Sequence, residues 1–142
     1  SQWCDIVQAQ ATQNKLLTFI NQSCERFNID MKNITLLGFD QGGILSLSIA
    51  ISFPEKVQRV VAINSFIDKK LLNFGYQKNN FENLKICLLH GFSNELIPLE
   101  WAEETINFLK NLHIPYSYET FASGHVFSAE MFYAVKTWIE KE

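Results

Sequence analysis

The feature that most constrains this chain is the run Gly38-Phe39-Asp40-Gln41-Gly42-Gly43. It stands between an apolar run, Ile34-Thr35-Leu36-Leu37, and an apolar-periodic segment from Ile44 to Phe53. A buried strand, a tight turn flanked by glycines and a helix make up the setting of a G-x-S-x-G nucleophile elbow. Here the apex of the turn is Asp40 rather than serine. The backbone pattern points to one kind of fold, while the apex side chain departs from the chemistry that the pattern serves.

The rest of the chain alternates in the same way. Leu16, Leu17, Phe19, Ile20 and Cys24 recur at helical spacing and predict a helix from Ala9 to Phe27. A short strand is expected from Ile34 to Gly38, then a helix from Gln41 to Phe53 closed by Pro54. Val57 to Ile63 and Leu84 to Leu89 are two further apolar strands. The stretch between them, Lys69 to Glu82, lacks strong periodicity and is expected to be loop or partial helix. Pro98 to Leu112 is expected to be helical with its proline near the first turn, where a missing N–H costs little. Tyr116 to Phe121 is the fourth strand, and Ser128 to Glu140 the last helix, capped by Ser128. Strands separated by helices imply a parallel α/β sheet covered on both faces, with ligands bound outside the carboxyl ends of the strands. Asp40 follows the first strand, His90-Gly91 and Asn94 follow the third, and Gly124-His125 follow the fourth, so these residues gather along one edge.

A chain of 142 residues is expected to form one domain with a sizeable core. A net charge of -3, with Lys69-Lys70 the single adjacent basic pair, provides no basic stripe for nucleic acid or anionic lipid. No apolar run approaches the roughly 18 residues that cross a bilayer. Cys4, Cys24 and Cys87 are odd in number and lack metal-ligand spacing, and Cys87 sits in an apolar strand as a small hydrophobe. The expected setting is reducing and cytoplasmic, with no cofactor and no metal.

These motifs together resemble the phospholipase/carboxylesterase family of α/β-hydrolases, which includes acyl-protein thioesterases and small carboxylesterases. The family elbow G-F-S-Q-G-G is matched by GFDQGG at 38–43, and the acid loop H-G-x-x-D-x-x-V-P by HGFSNELIP at 90–98. Its Gly-His pair before the last helix is matched by Ser123-Gly124-His125, and Phe53-Pro54-Glu55-Lys56-Val57 followed by VVAINSFI resembles the stretch after the elbow helix. The resemblance runs from about Gln13 to the C-terminus. It implies a three-layer α/β-hydrolase-type sheet in which the nucleophile falls on Asp40, the triad acid on Asn94 and the general base on His125. The backbone N–H of Gln41 would then be one oxyanion-hole donor. The family's second donor comes from a glycine-rich loop after an early strand, and no such loop precedes residue 34. Trp3-Cys4-Asp5-Ile6 resembles a segment that lies well inside the family's chains, so the N-terminal strands are expected to be missing. A short family member and a fragment of a longer chain both fit.

Acyl transfer on this fold needs a neutral hydroxyl that a histidine deprotonates as it attacks. An aspartate is ionised near neutral pH, a helix N-terminus favours the anion, and its attack on an ester would give an anhydride. Asn94 removes the carboxylate that fixes the histidine tautomer. In a serine protease that exchange costs about 10⁴ in turnover, or about 5.5 kcal/mol. Glu95 is one position late and Glu100 lies in the next helix, so neither is a natural replacement.

The expected protein is thus a family member acting by ancestry on carboxylic esters or acyl thioesters, with a degraded triad. One alternative is a non-catalytic module that binds an acyl ligand or a protein. Another is an aspartate-nucleophile hydrolase of the dehalogenase and epoxide hydrolase type, which also needs a cap for which there is no insertion. Plainer readings stand beside these. Asp40 forms an ion pair with a protonated His125, and aspartate relieves the strained elbow backbone. His90 ends a strand and bonds locally, His113 lies on the surface, Trp101 and Phe92 pack, and Glu100, Glu103 and Glu104 form a solvated helix face.

Overall fold

A computed structural model describes residues 6–141. Its four strands are parallel and lie in sequence order: β1 (Thr35–Phe39), β2 (Arg59–Ile63), β3 (Lys85–Gly91) and β4 (Tyr116–Phe121). The helices are α1 (Ile6–Phe27), α2 (Gln41–Ser52), α3 (Leu99–Asn111) and α4 (Ala129–Lys141). Every element expected from periodicity forms, with ends shifted by a few residues. Pro98 stands at the N-cap of α3 rather than inside it. Ser128 accepts the Met131 N–H at 3.2 Å and so caps α4. The stretch from Lys69 to Glu82 holds two single 3₁₀ turns, Lys69–Leu71 and Tyr76–Lys78.

Side-chain alternation divides the sheet into two faces. Val60, Ala62, Ile86 and Leu88 pack with Leu47 of α2 and with Ile106 and Leu109 of α3. Val61, Ile63, Cys87 and Leu89 pack on the opposite face with Met131 and Val135 of α4. Helices therefore cover both faces, as the α/β pattern implies. β2 and β3, flanked on both sides, are almost wholly buried and read as continuous apolar runs. β4 alternates poorly and is mostly exposed, as suits an edge strand. At the other edge, in β1, Leu37 is 49% exposed. Burial and the nearby Glu119 push the Cys87 thiol up to about 12. That thiol behaves as the buried hydrophobe expected of it. Cys24 is also buried and free. Trp3, Cys4 and Asp5 lie outside the described residues.

The helix behind the elbow is buried on nearly all sides, serines included. Its hydroxyls are satisfied at home: Ser46 donates to Gly42 O and Ser48 to Leu45 O, both at 2.7 Å. Ser52 instead accepts the Asn73 N–H at 3.0 Å and ties down the loop after β2. Among the described residues no helix is long and apolar enough to cross a membrane.

Candidate functional site

The elbow forms as its glycine spacing requires. Asp40 has φ 54° and ψ -119°, a backbone conformation that few side chains adopt. Its N–H donates to Ile63 O at 3.0 Å, and its carbonyl accepts from Gly43 N, Ile44 N and the Ser65 hydroxyl. A β-carbon on Gly38 would lie 2.3 Å from the Gly42 carbonyl, so strand and helix meet this closely only over glycine. An aspartate at an N-cap ordinarily accepts from the first turn of its helix. This one makes no such bond. The positive φ turns its side chain away from the helix, and Asp40 Oδ2 sits 3.0 Å from His125 Nε2.

The loops after β3 and β4 meet closely beside it. A β-carbon on Gly91 would lie 2.3 Å from Gly124 O, and Ser93 N donates to Ser123 O at 3.0 Å. This contact brings Asn94 Nδ2 to 2.9 Å from His125 Nδ1. The His125 ring also lies against Phe39, with centroids 4.8 Å apart. Asp40, Asn94 and His125, read from the sequence as one constellation, are therefore in one hydrogen-bonded row.

The direction of that row follows from its anchors. Asn94 Oδ1 accepts the backbone N–H groups of Leu96 and Ile97, both at 2.9 Å. Those groups only donate, so the oxygen must face them and the NH₂ must face His125. His125 Nδ1 opposite an NH₂ must accept, so the neutral ring carries its proton on Nε2 and donates it to Asp40. The expected pairing of Asp40 with His125 is present. In the neutral ring the pair is an imidazole N–H on a carboxylate oxygen, because the amide at position 94 offers Nδ1 only donors.

Asn64 belongs to the same cluster, although nothing in the sequence marks it beyond membership of the VVAINSFI stretch. It follows β2 with φ 49°, a left-handed conformation that asparagine tolerates well. It is fully buried. Its Oδ1 accepts from Gly91 N at 2.9 Å and Asn94 Nδ2 at 3.1 Å, and its Nδ2 donates to Val126 O at 2.8 Å. One side chain thus ties together the ends of β2 and β3 and the loop after β4.

The remaining candidates take plain roles. His90 is buried and its Nε2 donates to Ile97 O at 2.8 Å, bracing the loop that carries Asn94. Burial holds its pKa below the usual histidine value, opposed by the Ile97 hydrogen bond. Trp101 packs edge-on against Phe66, with ring centroids 4.9 Å apart. His113, Glu100, Glu103 and Glu104 are exposed. Gln41 opens α2 directly after Asp40. Among the described residues no group of histidine, cysteine and carboxylate side chains is arranged to hold a metal ion.

The fold is shared with known proteins. The sequence of acyl-protein thioesterase 1 from Mycosarcoma maydis is 28% identical over 83 residues, which are 58% of this chain and 35% of that protein. The carboxylesterase of Mesorhizobium loti superposes on 97% of the chain with a TM-score of 0.84 at 15% identity. The Bacillus cereus carboxylesterase superposes on 91% with a TM-score of 0.80 at 17% identity. This chain spans 64% and 59% of those two structures. A sequence model described as phospholipase/carboxylesterase matches residues 4–142, nearly the whole chain. With its elbow, its acid loop and its histidine loop in one row, the chain belongs to the phospholipase/carboxylesterase family of α/β-hydrolases.

Proposed function

We propose that this chain keeps the family scaffold while having weak or no ester and thioester hydrolysis, because its site is degraded at two of three positions. The roles follow family position: Asp40 stands for the nucleophile, Asn94 for the acid, His125 for the base, and the Gln41 N–H for an oxyanion donor. One observation carries the reading. Asn94 presents its NH₂ to His125 Nδ1 at 2.9 Å, which leaves the Nε2–H to donate to Asp40 Oδ2 at 3.0 Å. A general base in this fold needs a lone pair on Nε2, directed at the nucleophile. Here that nitrogen carries a hydrogen, and the group it meets has no proton to give. The same arrangement counts against an aspartate-nucleophile hydrolase, since His125 would have to take a proton from water at Nε2.

The test is hydrolysis of a short-chain p-nitrophenyl ester and of an acyl thioester by the wild-type chain beside His125→Ala. Equal, background rates are expected. Turnover that vanishes with His125 would contradict the reading.

A second reading concerns binding without turnover. Phe92 and Leu96 flank Asn94, Val126 and Phe127 follow His125, and all are between 40% and 56% exposed. Apolar side chains on the loops that carry the site suit the tail of an acyl ligand. Saturable binding of a fatty acyl amide, which cannot be hydrolysed like an ester, tests this. Binding unaffected by Phe92→Ala and Phe127→Ala would rule it out.

A further inference from the structure

We infer that Asn64 is a positioning residue that makes position 94 reject a carboxylate, so that Asn64 and Asn94 form a matched pair. The inference rests on the degraded-site reading and adds a third residue to it. Asn94→Asp is nearly isosteric and exchanges one NH₂ for an oxygen. That oxygen would stand where Asn94 Nδ2 now lies, 3.1 Å from Asn64 Oδ1. Two acceptors would then face each other with no proton between them, in a site where Asn64 is fully buried and Asn94 only 6% exposed.

Turning the Asn64 amide over does not relieve the clash. Its Oδ1 accepts the Gly91 N–H and its Nδ2 donates to Val126 O. A reversed amide would set donor against donor at Gly91 and acceptor against acceptor at Val126. Neither orientation suits a carboxylate at position 94. A hydroxyl differs, because it both donates and accepts and rotates to fit. With Asn64→Ser, the new hydroxyl would donate to that carboxylate and still accept from Gly91. Once accommodated, the carboxylate would accept a proton from His125 Nδ1 and leave Nε2 free. Within the hydrogen-bonded row Asn64 bonds Asn94 alone.

Urea unfolding of the wild-type chain, Asn94→Asp, Asn64→Ser and the double variant tests the pairing. Asn94→Asp is expected to raise the unfolding constant about tenfold or more beside the native Asn64, and several-fold less in the Asn64→Ser background. Equal penalties in the two backgrounds overturn the inference. So does failure to fold of both variants that carry Asn94→Asp, since the penalty would then be independent of position 64. Packing loss alone leaves the ring protons unmoved, so ¹⁵N spectra of His125 supply a second readout. The ring proton is expected on Nε2 in Asn64→Ser and on Nδ1 in Asn64→Ser/Asn94→Asp. A proton that stays on Nε2 in the double variant overturns the inference. Ester hydrolysis by the wild-type chain would sink the degraded-site reading alone, because the coupling between positions 64 and 94 is measured without turnover.

Discussion

The elbow and the histidine end of the site have departed from their family in different ways. At the elbow the backbone is intact: the φ of Asp40 is 54°, β1 and α2 touch over Gly38, and the Asp40 carbonyl keeps its helix and Ser65 bonds. One functional group has changed there. At the histidine end every contact in the row is also present, but its polarity runs the other way, from an amide NH₂ into Nδ1. Scaffold geometry rests on close backbone approach, whereas chemistry rests on the position of one proton. On the proposed reading the first survives without the second.

Backbone crowding is where this contrast breaks with the largest effect. Gly38→Ala is expected to cost about 3 kcal/mol or more, because the new carbon meets the Gly42 and Gly43 backbone within 2.5 Å. Gly91→Ala is expected to do the same against Ser123 and Gly124. Urea denaturation measures both. Losses under about 1 kcal/mol would mean that neither close approach organises the site.

Truncating the reversed end comes next. Asn94→Ala removes the acceptor of two backbone N–H groups and the donor to Asn64 and His125. A loss of about 2 kcal/mol is expected for the buried groups left unpaired. A neutral result would mean that water or a loop shift replaces the amide.

A pH dependence sharpens the same end. His90 has a lowered pKa, chiefly from burial. As pH falls through the ordinary value of 6.5, the unfolded chain takes up a proton before the folded chain does, so stability drops from there downward. His90→Gln is expected to flatten that part of the stability profile. An unchanged slope would assign the acid sensitivity elsewhere.

Changing the apex group alone has the smallest expected effect. Asp40→Asn keeps an oxygen for the His125 N–H on a side chain that is partly exposed. Its stability is expected within about 1 kcal/mol of wild type. A larger loss in thermal unfolding would mean that the carboxylate holds the loops together.

Much of this was legible in the sequence, for identifiable reasons. Val60-Val61-Ala62-Ile63 and Ile86-Cys87-Leu88-Leu89 are continuous apolar runs that only a doubly covered strand accommodates. The glycines of the elbow stand at the spacing its close contact demands. What the sequence hid was direction. The motifs bring Asp40, Asn94 and His125 to one strand edge, yet those letters leave the tautomer of His125 open. For the neutral ring it is set by the Leu96 and Ile97 backbone N–H groups, whose aim depends on the fold of the loop. Asn64 was hidden for a related reason. Its three partners lie 27, 30 and 62 residues away, and no local pattern records them.

The most direct test of the reversed row is a ¹H–¹⁵N correlation of the imidazole nitrogens near neutral pH, with the His125 signals assigned by their loss in His125→Ala. The expected spectrum has a proton bound to Nε2 of His125 and a bare Nδ1. A proton on Nδ1 with a bare Nε2 would mean that the base is poised as in a working triad, and the row would not be reversed at all.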